Sequence, residues 1–341
     1  MVRFLRESIK IDRHQANCFS IIIHFKVSKM KERKATKSVG VDVSKKCIDV
    51  CYRQSPGVWG YKTINNDIAG YRELVKLAGR SSHYVMEATG IYHLGLAFYL
   101  SKRGIKLTVL NPLIIKRYRQ MQLGRVKTDK ADSKCIAEYG ESLPLELWKG
   151  PTELLLKLHQ EDTLLSLLQS QRIQVINQLE SVKHQPVRSK LAEKILRHQL
   201  QSLEKEIAGL EKSIVEQMEN EYKEEMDLLS SIPGISRRSA ALLLIVTRGL
   251  KDFESSKQLS SYVGLTPMVS ESGSSVRKKG RISKMGSSRL RKQLYMCSWS
   301  AIRFNDQCKQ MYERMRSAGK PGKVIMVAVM NKLLRQAFGV N

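Results

Sequence analysis

Four carboxylates in the first half of the chain have the types and spacing that metal-assisted phosphoryl chemistry needs. Asp42 lies between valines in "VGVDVS", and Glu87 closes the apolar run of "HYVMEATG". Asp129 and Asp132 stand three apart in "KTDKADSKC", a spacing that puts both on one face of a helix. An ionised side chain in the middle of an apolar strand is costly unless it is paired, hydrogen-bonded or bound to a cation. Hard cations such as Mg²⁺ take oxygen ligands, and a pair of them can clamp the attacking and leaving oxygens of a phosphodiester displacement. Each acid also has a plainer reading. Asp129 serves equally as a helix N-cap, Asp132 as a first-turn acid favoured by the helix dipole, and Glu87 as a surface residue. Spacing alone leaves both readings open.

A second stretch raises a different question. "ESGSSVRKKGRISKMGSSRLRK" sets serines in a field of Arg and Lys, and the last of the seven histidines, His198, lies far upstream. A Ser-His-Asp triad within this part of the chain is therefore excluded. Arg277, Lys278, Lys279, Arg281, Lys284, Arg289, Arg291 and Lys292 are candidates for holding phosphates or for stabilising negative charge at phosphorus. The plainer alternatives are a serine capping a turn at "SGSS" and a solvated basic surface.

The elements that must position these groups follow from periodicity. "SVGVDVS", "CIDVCYR" and "WGYKTINN" read as three successive strands, "HYVMEATG" as a fourth and "IKLTVLNP" as a fifth, ended by Pro112. Between them "DIAGYRELVKLAGR", N-capped by Asp67, and "YHLGLAFYLSKRG", closed by Gly104, read as helices. Three strands followed by alternating strands and helices imply a mixed sheet with helices on its faces. After residue 151 the texture becomes long, polar and helical, with Leu196, Leu200, Leu203, Ile207, Leu210 and Ile214 at three- and four-residue steps. Pro186 divides two such segments, which implies an antiparallel helical hairpin or a coiled coil between subunits. "LLSSIPGISRRSAALLLIVTRGL" implies two helices about a Pro-Gly turn, either a helix-hairpin-helix whose amides meet a phosphate or a plain turn between core helices. Residues 1–36 read as an extension outside the fold, with translation expected to begin at Met30.

Composition narrows the partners. Lys and Arg total 59 against 32 acids, a net charge of +27, and the stretch from Ser272 onward carries 16 basic residues against two acids. Such a balance points to a polyanion, above all nucleic acid. No apolar run approaches the 18 residues of a membrane span, and no membrane partner is expected. The six cysteines form no CxxC pair or zinc spacing and read as reduced thiols of a cytosolic protein.

The motifs "VGVDVSKKCIDV", "EATGIYH" and "VKTDKADSKCIAEY", followed in order by "SIPGIS", "FESSKQLSSYVGLTP", "ESGSSVRKKGRISKMGSSRLRKQLYM" and "GKPGKVIMVAVMNKLLRQAF", resemble a bacterial insertion-sequence family. These are the DEDD transposases related to pilin-gene invertases, described as bridge-RNA-guided recombinases. The resemblance covers roughly residues 38–340. It implies an α/β RNase H-like (RuvC-like) domain over 37–148, a helical coiled-coil linker over 149–222 and a small, mostly helical domain over 223–341. It also implies that Asp42, Glu87, Asp129 and Asp132 hold Mg²⁺ (Mn²⁺ as the alternative ion). By the same resemblance Ser272 is a nucleophile that forms a phosphoserine link to DNA. Further implied are a guide RNA from the same element, a homodimer or homotetramer, and a cytoplasmic, nucleoid-associated location. A RuvC-like, structure-specific nuclease whose C-terminal part only binds DNA is the competing expectation. A non-catalytic nucleic-acid-binding protein is a third.

Overall fold

The computed structural model describes residues 37–122, 128–268, 271–272, 276–277 and 281–340, with the side chains of 271, 272, 276 and 277 excepted. The expected extension with Met30, together with Ser274, Ser275, Lys278 and Lys279, lies outside the described residues. The chain divides into two compact units, 1–150 and 151–341.

The first unit is a five-stranded mixed sheet in the order β3-β2-β1-β4-β5. Its strands are β1 (Ser38–Val43), β2 (Cys47–Ser55), β3 (Val58–Asn65), β4 (His83–Glu87) and β5 (Leu107–Leu110). β1 runs antiparallel to β2 and parallel to β4, so β1 is central, as its apolar run implies. Alternation sorts its residues between two faces. Val39, Val41 and Val43 join Ile48, Val50 and Met86 in one core, covered by Tyr71 and Leu74 of α1 (Ile68–Ala78) and by Leu96 and Leu100 of α2 (Leu94–Ser101). Asp67 caps α1 as expected, accepting from the Gly70 N–H at 2.8 Å. The opposite face carries Gly40 and Val85 and is covered by α3 (Pro112–Met121) and α4 (Asp129–Ser142).

Helix α3 has no counterpart in the sequence expectation, which ended the fifth strand at Pro112. Pro112 does end it, and it also opens α3 at the first helical position behind the N-cap Asn111. Helix α4 starts at the N-cap Thr128, whose Oγ1 accepts from the Ala131 N–H at 3.2 Å. Asp129 is therefore not the cap but the first residue of the helix.

In the second unit α5 (Glu153–Lys183) and α6 (Lys190–Glu221) form an antiparallel hairpin within one chain. Cross-links run between Lys157 and Gln217 (3.0 Å), Gln169 and Glu211 (3.2 Å) and Arg172 and Glu204 (2.9 Å). The turn lies around Pro186, where the missing N–H and fixed φ suit a break rather than a helix interior. The base of the hairpin, with Leu158, Leu165, Ile214 and Met218, shares one core with the helices that follow. These are α7 (Lys223–Ser230), α8 (Arg237–Thr247), α9 (Ser256–Val263), α10 (Ser288–Phe304), α11 (Asp306–Ser317) and α12 (Gly322–Val340). The segments expected as 149–222 and 223–341 thus meet in a common core. α7 and α8 flank the Pro-Gly turn, and Gly234 there has φ of +107° with Ala301 of α10 packed against it.

One ion pair ties the hairpin to α10. Asp162 and Arg289 are both largely withdrawn from water, and burial holds the Asp162 carboxyl above its ordinary pKa and the Arg289 guanidinium below its own. Removing one partner leaves the other charge uncompensated. Asp162→Ala is expected to cost about 3 kcal/mol in chemical denaturation of the full chain, whereas Lys212→Ala, which breaks an exposed pair with Glu216, is expected to change nothing measurable.

Candidate active site

The hairpin between β1 and β2 fixes the first feature of the site. Val43 pairs with Ile48 and Asp42 with Asp49, so two carboxylates sit directly opposite each other on adjacent strands. Directly opposed residues share a face, and like charges so placed are destabilising. That face is the one that carries Gly40, two residues earlier. On the other side of β1, Val41 pairs with Met86, and Glu87 follows as the last residue of β4.

Gly40 and Gly140 bring α4 onto this face. A Cβ at Gly40 would lie 2.0 Å from the Ser133 carbonyl oxygen and 2.4 Å from the Ala137 nitrogen, and one at Gly140 would lie 2.8 Å from Val85 Cγ2. The helix backbone rests on the bare strand. Asp129, at the start of its first turn, is thereby carried toward Asp42, whereas Asp132 is not among the charges that act on Asp42.

The electrostatics follow. Burial, then the carboxylates of Glu87, Asp129 and Asp49, push Asp42 up from 3.8 to about 6, against a lowering hydrogen bond from the Val43 N–H. Asp132 is engaged differently: it forms an ion pair with Arg119 of α3. Among the described residues no three Asp, Glu, His or Cys side chains stand close enough to cage a metal ion. The donor set nevertheless has the chemistry of a hard-cation site, being all oxygen, anionic and partly buried, with Asp42 held up by its acidic neighbours.

The sequence reading missed two participants, Asp49 and Arg119. Asp49 is buried and accepts hydrogen bonds at one oxygen, Oδ1, from the Tyr61 hydroxyl and from Thr63 Oγ1 (2.6 Å), both on β3. Burial and that bond to Asp49 raise the Tyr61 pKa, so the phenol stays protonated and donates. Lys130 of α4 lies 5.6 Å from the centre of the Tyr61 ring. The short turn "SKKC" allows residues 42 and 49 to pair through a two- or four-residue loop but does not require it, since a three-residue loop shifts the register. Arg119 carried no such signal, because α3 itself was not foreseen.

In the second unit the backbone of Ser272 lies in a strand. The two-residue strands β7 (Glu271–Ser272) and β8 (Val276–Arg277) pair antiparallel, Ser272 opposite Val276. Before and after them β6 (Pro267–Met268) pairs with β9 (Arg281–Ile282). This ribbon is pinned at its base. A Cβ at Gly286 would lie 2.0 Å from the Tyr262 carbonyl oxygen, and Arg291 Nη1 donates to the carbonyls of Val263 (2.9 Å) and Gly286 (3.1 Å). The basic set therefore divides. Arg289 and Arg291, expected to meet nucleic acid, are engaged with Asp162 and with backbone carbonyls, because they flank Leu290, which α10 turns into the core. Arg281, Lys284 and Lys292 are exposed, and Arg277 is described in its backbone alone.

Comparison with known proteins decides the family. Residues 39–185 match the DEDD transposase family of the IS110 type, and residues 226–313 match the transposase IS116/IS110/IS902 family. The chain is 30% identical to the pilin gene-inverting protein of Moraxella lacunata over 89% of its own length and 94% of that protein. The chain belongs to the IS110-type family of DEDD transposases. The Moraxella bovis pilin gene-inverting protein is 27% identical over the same shares. A 43.6 kDa protein of insertion element IS110 from Streptomyces coelicolor is 28% identical over 27% of this chain and 23% of that protein. For a transposase of this family the partner is DNA, the activity is recombination, and the DEDD domain points to dependence on a divalent metal. Among the described residues no helix is long and apolar enough to cross a membrane, and the five described cysteines are unpaired.

Proposed function

We propose that the chain cuts and rejoins DNA strands through Ser272, assisted by the acidic face of the first unit, and so moves or inverts a DNA segment as the names of its Moraxella relatives describe. The observation that carries this is the like-charge face built around Asp42, where burial and three neighbouring carboxylates act against the charge that the group bears at neutral pH. The strand order with β1 central, flanked by one antiparallel and one parallel neighbour, suits the RNase H-like domain that the acids imply.

In the reaction the Ser272 hydroxyl loses its proton as Oγ bonds to phosphorus, and the bond from phosphorus to the departing deoxyribose oxygen breaks. That oxygen takes up a proton. Attack by the hydroxyl of a new partner strand then reverses the exchange and frees the serine, so the phosphodiester is rebuilt without an external energy source. Asp42, Glu87, Asp129 and Asp132 would hold Mg²⁺, whose charge favours deprotonation of the attacking hydroxyl and stabilises the departing oxygen. Asp132 would have to leave Arg119 to join them. Arg281, Lys284 and Lys292 contact phosphates, which position DNA without reading its sequence. Target choice then falls to pairing with an RNA from the element, in an assembly of two or four chains.

The test is a trapping assay. Wild type, Ser272→Ala and Asp42→Asn are incubated with labelled element-junction DNA, Mg²⁺ and RNA transcribed from the element, then resolved on denaturing gels. The expected result is a covalent protein–DNA adduct in the wild type that both variants lack. Cut DNA without an adduct, at the same rate with Ser272→Ala, would establish a RuvC-like nuclease instead. Omitting the RNA is expected to abolish the adduct.

A further inference from the structure

Asp49 has an environment that stability does not explain. It is 6% exposed, lies directly across from Asp42, and has no cationic partner among the described residues. A buried carboxylate ordinarily recruits an Arg, a Lys or several N–H donors. Here two neutral hydroxyls, Tyr61 and Thr63, converge on Oδ1, and no hydrogen bond or ion pair among the described residues reaches Oδ2. The arrangement fixes the carboxylate in rotation and leaves one oxygen on the face shared with Asp42. Carboxylates that bind metals are held in this way, one oxygen by hydrogen bonds and the other on the ion.

We propose that Asp49 is a fifth carboxylate of the cation-holding face, with Oδ2 as its ligand atom, and that Tyr61 and Thr63 are its positioning residues. The inference rests on the reading that this face binds a divalent cation. It goes beyond the four acids of the DEDD set, and it accounts for the cross-strand pair of like charges: a cation between strands β1 and β2 turns their repulsion into shared attraction. It also assigns a task to the tyrosine and threonine. Without them the Asp49 side chain can rotate Oδ2 away, and the site loses preorganisation while keeping its charge.

The measurement is Mn²⁺ binding to the full chain by titration calorimetry, with no DNA present, so that catalysis plays no part in the readout. Asp49→Asn keeps an oxygen for both hydroxyls and removes the charge, and circular dichroism and melting verify that the variants fold. Expected is a saturable wild-type site that Asp49→Asn weakens well over about 10-fold, and that Tyr61→Phe weakens about 10-fold with unchanged stoichiometry. Equal affinity in wild type and Asp49→Asn overturns this inference and leaves the four-acid reading standing, as Asp42→Asn then still weakens binding. No Mn²⁺ binding by the wild type overturns both. Should Asp49→Asn fail to fold, Tyr61→Phe and Thr63→Val decide, because loss of either hydroxyl must weaken Mn²⁺; full affinity in both overturns the proposal.

Discussion

Gly40→Ala is expected to destabilise the first unit by about 3 kcal/mol or more and to remove DNA cleavage with it. The added methyl would lie 2.0 Å from the Ser133 carbonyl oxygen and 2.4 Å from the Ala137 nitrogen. Both are backbone atoms of α4, so no flexible side chain can turn aside; the helix must lift from the sheet or the strand must bend. Either movement displaces Asp129 from Asp42. At roughly 3–6 °C per kcal/mol for a unit of this size, the melting temperature should fall by about 9–18 °C. Gly209→Ala is the internal control. Gly209 lies in α6 with nothing within 4 Å of an added Cβ, and alanine there is expected to raise stability by about 0.5–1 kcal/mol. An unshifted melting curve for Gly40→Ala would show that α4 does not rest on this strand.

Asp42→Asn is expected to do the reverse, stabilising the fold while ending cleavage. The folded protein holds Asp42 at about 6, up from 3.8, chiefly through burial and then through the neighbouring acids. A carboxyl whose pKa is raised by folding binds a proton more tightly in the folded state than in the unfolded chain. Stability therefore falls as pH climbs from about 4 through about 6, and the penalty is complete above that window. A shift of this size corresponds to about 3 kcal/mol, and partial exposure of the group screens it to about 1–2 kcal/mol. Asparagine keeps an acceptor for the Val43 N–H and carries no charge. Urea titrations of the two proteins should coincide near pH 4 and separate by pH 7, the variant being the more stable. Millimolar Mn²⁺ should close the gap by stabilising the wild type alone, since a ligand that binds only the folded state adds to its stability. Cleavage should fall at least about 100-fold in the variant. If the wild type proved the more stable at pH 7 without metal, the charge at Asp42 would have to be compensated by a cation.

Much of this architecture is legible in the order of residues. The alternation of Val39, Val41 and Val43 places Asp42 on the opposite face from those valines, and the helix starts at Asp67 and near Asp129 are marked by capping chemistry. Helix α3 escaped because Pro112 reads as a stop, although the same ring suits the first turn of a helix. Asp49 escaped because an acid two residues into an apolar strand, judged by itself, is no more telling than any other; its weight comes from standing opposite Asp42. The basic stretch illustrates the same limit. Arg289 and Lys292 are one helical turn apart and equally charged, yet one is tied to Asp162 and the other exposed.

The amino-acid sequence by itself determined the excess of positive charge, the phases of the strands, the helix caps and the presence of an Asp within an apolar strand. These depend on neighbours a few residues away, which any reading of the chain contains. Only the tertiary structure decided that Asp42 and Asp49 face each other, that α4 touches bare backbone at Gly40, that Asp132 is paired with Arg119, and that Arg289 and Arg291 bind the protein itself. Charges interact through space, and their partners come from segments that meet only when sheets close and helices dock.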